Sequence, residues 1–336
     1  MQPNHSQFEA WISHHLPDTL QVEEGVWAAP LPLQGDQYVR HTYTYLVLDD
    51  RGSVHVIDPG WDTADNRIRL ESSFGQIGKS LADVKTIVST HLHPDHTGLA
   101  PWLQEHSGAP ILMHRAEAEA AESGASLSIA FAFFRRLRAW GAPLTERARI
   151  YAGLWRQRQL AEGVSVRADV RLEDGEMLDI PGRRLRVVHT PGHTEGSICL
   201  YDETTHSLFS GDTVLPMVHP GIGLGGGRES PRENPLARYF DSLEMLARLN
   251  VDEVHPGHGY SFQGLHDRIE ESIGHHRRRS DEVRSILTSE HNPSVWHVAE
   301  QVHWTAGWAN LHGYMRLSAV AQTEMHIDYL SGHPAD

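Results

Sequence analysis

The sequence predicts a layered fold of strands and helices, of the α/β or α+β class. Short runs with strand character fill residues 38–58, return at residues 184–211 and occur again near residue 252. Helical spacing of apolar residues separates these regions, and the chain after about residue 262 has a helical pattern throughout. This order of elements indicates β-sheets that are covered by helices around one core.

Local patterns predict the individual elements. Residues 38–50 alternate apolar and polar side chains, and the turn signal at 49–52 leads into a second strand at 53–58. Residues 126–162 have a strongly amphipathic helical pattern with many aromatic side chains. The other predicted helices cover residues 63–78, 99–107, 115–123 and 235–250, and the other predicted strands lie at 80–89, 110–114, 184–189, 197–202, 207–211 and 252–254.

The composition indicates a soluble globular protein. The 336 residues are 39% hydrophobic and 22% charged, which suits one large domain, or one domain with an appendage. The formal net charge of −15 opposes binding to a phosphate backbone, so nucleic acid is not expected as a partner. No apolar run approaches the roughly 20 residues that cross a bilayer, so no membrane association is expected. Cys199 is the only cysteine and no secretory signal is visible, so we expect a cytoplasmic location.

Residues 90–98, THLHPDHTG, are the most informative segment and follow an apolar run at 84–89. Three imidazoles and one carboxylate fall within six consecutive positions, and these residues are His91, His93, Asp95 and His96. On a loop that leaves the end of a strand, these side chains can converge, and their nitrogen and oxygen atoms suit zinc, iron or manganese. Chance clustering is the alternative in a chain with 25 histidines, but this block is too specific for it. The segment therefore predicts a metal site.

Three later segments repeat the arrangement of an apolar strand, a tight turn and a histidine or aspartate. His193 and His258 each follow a Pro-Gly turn, and Asp212 follows the predicted strand at 207–211. Ordinary turn chemistry explains each of them alone, because Asp and Gly are common in loops. Together they support one another as the remainder of the metal site.

In this order, the segments resemble the metallo-β-lactamase superfamily, and specifically its hydrolase branch with the glyoxalase II-like enzymes. The resemblance covers about residues 22–262 and includes an acidic turn at residues 58–60. It implies an αββα sandwich within the α+β class, with two sheets face to face, helices outside and the metals at one edge. It also implies that His91, His93 and His193 hold a first metal, that Asp95, His96 and His258 hold a second, and that Asp212 bridges them.

A dinuclear site of this kind predicts hydrolysis. Two divalent cations, expected to be zinc although iron or manganese would also fit, can share a water and lower its pKa toward neutrality. Asp95 is the expected catalytic residue, because its carboxylate can orient the water or move its proton. The predicted reaction is cleavage of a thioester or ester by metal-bound hydroxide, with an acyl-CoA-like compound as a candidate substrate.

An arginine-rich helical segment is predicted to determine the substrate. Residues 126–160 contain seven arginines and one glutamate, with aromatic residues among them. Superfamily members often carry a helical lid here, so we predict a lid insertion at about 115–163. Guanidinium groups suit an acyl group on an anionic carrier, and the predicted substrate contacts are Phe134, Arg135, Arg136 and Trp140. The alternative is an amphipathic hairpin that packs its aromatic face on the core and exposes its arginines.

The predicted domains are a catalytic domain at residues 1–262 and a helical domain at 263–336. The second resembles the winged-helix-like appendage of certain lactamase-like hydrolases. The chain stops where the wing hairpin would begin, so we expect the wing to be missing or vestigial.

Other activities on the same metal site remain open. They are a phosphodiesterase or endoribonuclease, an acyl-homoserine lactonase and a sulfur dioxygenase with one iron. Neither an inserted RNA-cleaving domain nor a complete wing is found, which counts against a nuclease. Leu215 lies three residues after Asp212, where many such lactonases have a tyrosine. We expect a small-molecule substrate, and an oligomer is compatible with the sequence.

Overall fold

The computed structural model describes residues 1–33, 39–122, 135–160, 166–223 and 233–332, and only the backbone of residues 154–160. Two β-sheets form its centre. One contains β2 (Leu20–Glu23), β3 (Val26–Pro32), β4 (His41–Leu48), β5 (Val54–Ile57), β6 (Val84–Ser89), β7 (Ile111–His114) and β8 (Val170–Leu172), in this spatial order. The other contains β1 (Gln2–Pro3), β9 (Leu185–His189), β10 (Ile198–Asp202), β11 (Ser207–Gly211), β12 (Glu253–Pro256) and β13 (Phe262–Gln263), in the spatial order β1-β13-β12-β11-β10-β9.

Strand alternation divides the apolar side chains between two layers. On β4, Tyr45 and Val47 point into the layer between the sheets, whereas Leu46 points to the outer face of its sheet. Phe209 on β11 enters the same inner layer from the other sheet and meets the Tyr45 ring edge to face at 5.2 Å. The two sheets therefore pack face to face over a shared apolar core.

Helices cover both outer faces. Leu70 and Phe74 of the second helix pack on Val56 of β5, and Tyr239 and Leu243 of the seventh pack on the other sheet. This arrangement confirms the α+β class and the αββα sandwich. The helices are α1 (His5–Ile12), α2 (Ala64–Gln76), α3 (Pro94–Thr97), α4 (Ala100–Ser107), α5 (Arg115–Glu122), α6 (Leu144–Leu160), α7 (Pro235–Leu246), α8 (Leu265–Ser289), α9 (Val295–Gln301) and α10 (Gly313–Gly332).

Side-chain caps set the start of the covering helices. The Thr63 hydroxyl accepts a hydrogen bond from the Asn66 backbone N–H at the start of α2. The Asn234 side chain accepts from the first free N–H groups of α7, and Pro235 occupies the first helical position, where no N–H is needed.

The described part of the insertion forms two helical segments, and not the single continuous helix that the sequence pattern predicts. Residues 135–139 are helical, Gly141 turns the chain at a φ of +83°, and α6 begins at Leu144. The remainder of the predicted helix, at 126–134 and 161–162, lies outside the described residues.

The insertion packs on the C-terminal helices. Leu137, Trp140 and Ile150 share an apolar cluster with Trp296 of α9 and Leu317 of α10. The Trp296 N–H donates to the Trp140 carbonyl at 2.8 Å. The interface therefore has a core of its own.

Two ion pairs cross this interface in opposite directions. Arg136 of the insertion pairs with Glu324 of α10, which also accepts from Trp140 Nε1 at 2.6 Å. Arg316 of α10 donates to Glu146 of α6 at 2.7 Å. Each segment thus supplies one cation and one anion to the contact.

Beyond β13, the part of the chain that the structure describes contains helices and no further strand. The division into domains at residue 262 stays a prediction. None of the described helices is long and apolar enough to cross a membrane.

Four histidines, His219, His275, His276 and His326, cluster where α8 meets α10 and the loop after β11. The His219 and His275 rings stack at 3.9 Å. Burial, reinforced by His275, lowers the pKa of His219 to about 3. Burial, reinforced by Arg279, lowers the pKa of His275 to about 4 and that of His326 to about 3. These rings are therefore neutral in the folded protein near neutral pH.

This cluster predicts a loss of stability in mild acid. An unfolded histidine has a pKa of about 6.5, so the unfolded chain binds more protons than the folded protein below that pH. His275→Phe keeps a ring against His219 and removes one protonation site. We expect its free energy of unfolding to fall less steeply than that of the wild type between about pH 6.5 and pH 4.5. Urea unfolding at several pH values, with metal chelated, measures the slope.

The control is His266→Phe, because His266 is exposed on the same helix, α8. It should retain the pH dependence of the wild type. A wild-type slope in His275→Phe would contradict the neutral cluster.

Candidate metal centre

All the predicted ligands lie at one edge of the sandwich. β6 runs parallel to β5 and β7 and leads into residues 90–98. In the other sheet β11 and β12 are parallel, and β9 shares their direction because β10 is antiparallel to both β9 and β11. His193 follows β9, Asp212 follows β11 and His258 follows β12. The strand directions thus bring four separate loops together.

The first donor group consists of His91, His93 and His193. His93 Nδ1 lies 3.0 Å from His91 Nε2 and 3.1 Å from His193 Nε2. Three ring nitrogens at this spacing fit one face of a tetrahedral zinc site, which has Zn–N distances of about 2.0–2.1 Å.

The second donor group consists of Asp95, His96 and His258. Its two Nε2 atoms are 3.4 Å apart, and Asp95 Oδ2 lies 3.4 Å from His258 Nε2. Asp212 lies between the groups. Its Oδ1 is 3.4 Å from His96 Nε2, and its Oδ2 is 3.6 Å from His193 Nε2. One carboxylate therefore faces both groups.

Asp58 determines which ring nitrogen carries the proton in two imidazoles. Its backbone has a φ of +53°, a left-handed conformation that aspartate tolerates better than most residues. Asp58 Oδ2 accepts from the Thr90 hydroxyl and from His96 Nδ1, both at 2.8 Å. Because the Thr90 proton is used in this way, its oxygen accepts from His91 Nδ1 at 3.1 Å. His91 and His96 therefore each direct an Nε2 lone pair at the centre.

Backbone carbonyls control two further imidazoles. His193 Nδ1 donates to the Gly221 carbonyl at 2.6 Å, and His258 Nδ1 donates to the His41 carbonyl at 2.8 Å. Both rings are therefore left with an Nε2 lone pair directed at the centre.

The donor set fits metal ions. With the Nδ1 protons of His91 and His193 donated to Thr90 and Gly221, the neutral rings of the first group place at most one proton among three converging nitrogens. A divalent cation can accept all three lone pairs at once. Asp212 Oδ1 is buried and accepts no hydrogen bond among the residues described. Imidazole and carboxylate ligands of this kind suit zinc, and also iron or manganese.

The two donor groups differ in their electrostatics. Burial, reinforced by His93, lowers the pKa of His193 to about 4 and leaves this ring neutral. Burial also acts against protonation of His96, but Asp212 and Asp58 outweigh it and raise its pKa to about 9. The carboxylates thus favour a positive charge at the second group. A divalent cation bound there would compete with the proton on His96.

Gly257 allows the Asp212 and His258 loops to approach each other. A Cβ atom on Gly257 would lie 2.6 Å from Asp212 Oδ1 and 2.6 Å from His96 Cε1. Any side chain here would displace a donor atom. The glycine of the predicted Pro-Gly turn is thus required by packing.

The predicted substrate contacts that the structure describes lie in different environments. Trp140 is 1% exposed and packs on α9 and α10. Arg136 is paired with Glu324, whereas Arg135 is exposed. Phe134 lies outside the described residues. Substrate binding by these four residues stays a prediction.

Sequence reasoning missed Glu117, a buried carboxylate beside the centre. Burial raises its pKa to about 7, although bonds from the Gly196 and Leu92 N–H groups act against the shift. In the sequence, Glu117 is one of several glutamates in an alanine-rich helix, and Glu119 and Glu122 look the same. No local signal separates it from them.

Known proteins show the same fold and related sequences. The sequence model of the metallo-beta-lactamase superfamily matches residues 38–258. The chain is 31% identical over 175 residues to the acyl-coenzyme A thioesterase MBLAC2 of Homo sapiens, covering 52% of this chain and 56% of that protein. It is 27% identical over 264 residues to the lactamase-like protein aptB of Emericella nidulans, covering 77% of this chain and 62% of that protein. The chain thus spans less than two thirds of the length of these curated relatives.

A solved structure agrees over nearly the whole chain. The crystal structure of a metallo-beta-lactamase family protein from Thermus thermophilus is 28% identical and superimposes with a TM-score of 0.76, covering 94% of this chain and 96% of that one. With the matched region spanning all seven candidate ligands, this chain belongs to the metallo-β-lactamase superfamily. Its histidine and aspartate groups are suited to the metal ions of a hydrolase of that superfamily.

We predict that Asp58→Asn weakens metal binding at the second donor group. Asp58 Oδ1 accepts from the Thr90 backbone N–H, while Oδ2 accepts from the Thr90 hydroxyl and His96 Nδ1. An amide has one acceptor oxygen and directs an NH₂ group at the other set of donors, so it cannot hold both sets as the carboxylate does. Loss of such an orienting partner typically lowers metal affinity about 10- to 100-fold. Competition with a chromophoric chelator measures the affinity for each equivalent of zinc.

The control is Asp62→Asn, four residues further on, where the carboxylate pairs with Arg67 instead. Its zinc affinity should equal that of the wild type. Equal affinities in Asp58→Asn and Asp62→Asn would show that His96 does not depend on Asp58.

Proposed function

We propose that this protein is a dinuclear metal-dependent hydrolase that cleaves a thioester, with an acyl-CoA-like compound as its substrate. The observation that carries the hydrolase assignment is the pair of adjoining donor groups that share Asp212. The sequence similarity to an acyl-coenzyme A thioesterase supports the substrate class.

In this proposal, His91, His93 and His193 bind the first metal, and Asp95, His96 and His258 bind the second. Asp212 would bridge the two ions, since its Oδ1 faces the second donor group and its Oδ2 faces the first. We propose zinc, since neutral imidazole nitrogen and carboxylate oxygen are its common ligands. When bound, the two ions supply a nucleophilic water at neutral pH and polarise the scissile carbonyl.

Asp95 is the proposed catalytic residue. Its side chain is 18% exposed, compared with 6% for His258 and 0% for His96. Solvent therefore reaches the second donor group beside this carboxylate. Asp95 can hold the proton of an attacking water there and release it to solvent or to the leaving thiolate.

The proposed recognition of an anionic carrier depends on Arg135. The Arg136 guanidinium is already paired with Glu324, and Trp140 is buried against α10. Arg135 lies in the same helical turn and is exposed. Its forked donors suit a phosphate group of such a carrier.

Substitution of the bridging carboxylate tests the proposed activity. In Asp212→Ala we expect fewer than two bound metals per chain and a loss of thioester hydrolysis of about a thousandfold, because metal catalysis supplies several kcal/mol. Elemental analysis and a panel of thioesters, esters, lactones and bis-p-nitrophenyl phosphate provide the measurements. Asp241→Ala, on an exposed position of α7, is the control.

Unchanged metal content and activity in Asp212→Ala would refute the site. Wild-type activity on the phosphodiester or the lactones without activity on thioesters would refute the substrate class. One bound iron would favour a sulfur dioxygenase.

Charge reversal at Arg135 tests the carrier. We expect Arg135→Glu to raise KM for an acyl-CoA about tenfold, because hydrogen bonds to charged groups contribute about 1.5–3 kcal/mol. KM for a neutral thioester should stay constant. Steady-state kinetics on both substrates measure the difference.

Arg277→Glu makes the same charge change at an exposed position of α8 and should leave both KM values unchanged. Equal effects of Arg135→Glu on the two substrates would rule out recognition of the carrier by this residue.

A further inference from the structure

We infer that Glu117 is a positioning residue that holds the first donor group in place by joining its two loops. The inference rests on the proposed metal binding by His91, His93 and His193, and on no particular substrate. Glu117 touches none of these three side chains in the contacts described. It acts on the backbone that carries them.

The two Glu117 oxygens each receive one backbone N–H group. Oε2 accepts from Leu92 at 2.7 Å, and Oε1 accepts from Gly196 at 2.7 Å. Leu92 lies between His91 and His93, and Gly196 lies three residues after His193. The bonds therefore reach both loops of the first donor group at once.

These loops belong to different sheets. The Leu92 loop follows β6 of the seven-stranded sheet, and the Gly196 loop joins β9 to β10 of the six-stranded sheet. Glu117 lies on α5, outside both loops, and is 1% exposed. One carboxylate thus fixes the distance between ligands that come from opposite halves of the sandwich.

The contact at Gly196 is close enough to exclude a side chain. A Cβ atom on Gly196 would lie 2.7 Å from Glu117 Cγ and 2.8 Å from the Glu117 backbone nitrogen. This spacing indicates that the loop is shaped to bring its N–H group to the carboxylate. Gly196→Ala would separate them without removing either hydrogen-bonding group.

The contact requires that both side-chain oxygens of Glu117 accept a hydrogen bond. Both backbone partners are N–H donors, one on each oxygen, and the Thr194 side chain is a further hydrogen-bond partner. A carboxylate can accept on both oxygens, whereas an amide can accept on only one. Glu117→Gln is nearly the same size but directs an NH₂ group at one of the two donors. The loop facing that group loses its bond, and the spacing of the three imidazoles is no longer held from both sides.

Metal titration of the full chain tests the inference. In Glu117→Gln we expect the affinity for one of the two zinc equivalents to fall about 10- to 100-fold while the other stays constant, as is typical when a group that orients ligands is altered. Chelator competition gives the two affinities. Titration with Co²⁺ gives a second readout, since its visible absorption bands change when the geometry of three imidazole ligands changes. Gly196→Ala should show the same selective loss.

Glu119→Gln is the matched control, because Glu119 is exposed on the same helix. It should bind both zinc equivalents and Co²⁺ as the wild type does. The thermal unfolding midpoint of each metal-free variant shows whether the fold is intact.

Wild-type zinc affinities in Glu117→Gln would overturn the inference. An equal loss at both metals together with a lowered unfolding midpoint would also overturn it, because Glu117 would then support only the fold. The proposed substrate class fails separately, if wild-type protein binds two metals and cleaves no thioester. The titrations of Glu117→Gln and Gly196→Ala do not depend on that result.

Discussion

The metal-facing edge depends on one constraint, which is that several imidazoles must direct lone pairs at a shared centre. A neutral imidazole has one N–H, so a ring presents a lone pair on Nε2 only if its Nδ1–H has an acceptor elsewhere. The acceptors come from the Thr90 hydroxyl, the Asp58 carboxylate and the carbonyls of Gly221 and His41. The ligands are therefore oriented by groups that do not face the centre themselves.

This requirement links the centre to the core between the sheets. The Tyr45 ring packs on Phe209 between the sheets, and its hydroxyl donates to the Pro256 carbonyl at 2.7 Å, two residues before His258. The Tyr43 N–H donates to the Gly257 carbonyl at 2.8 Å. The loop with His258 is thus fixed to a strand of the opposite sheet, and the spacing of the sheets sets the spacing of the donors.

Much of the site could be predicted from the sequence, because each ligand follows an apolar strand and a short turn. Parallel strand ends meet at one edge, so the pattern around residues 90–98, His193, Asp212 and His258 carried enough information. The groups that orient the rings were harder to find. Backbone carbonyls such as that of Gly221 have no sequence signature, and Glu117 looks like any other helical glutamate.

The fold was predictable in the same uneven way. Strands with regular alternation were identified, whereas β3 (Val26–Pro32) was missed because its two prolines argue against a strand. Both prolines nevertheless lie in the register of β3 with β4, where Pro30 is opposite Tyr43 and Pro32 is opposite His41. The packing of the insertion on α9 and α10 could not be predicted, since it joins segments far apart in the chain. An amphipathic pattern shows that one face of a helix is buried, but it does not show which segment of the chain covers that face.

The contact between the insertion and α10 has a consequence for the order of events during synthesis. The Arg136 and Glu324 partners are 188 positions apart in the chain. While the chain emerges from the ribosome, Leu137, Trp140 and Ile150 leave well before the residues that cover them. Closing so long a loop lowers the chain entropy before the stabilising contacts form. Until they form, the apolar side chains of the insertion are exposed and prone to aggregation. The two β-sheets can form first, and the insertion reaches its final position only after translation has delivered α10.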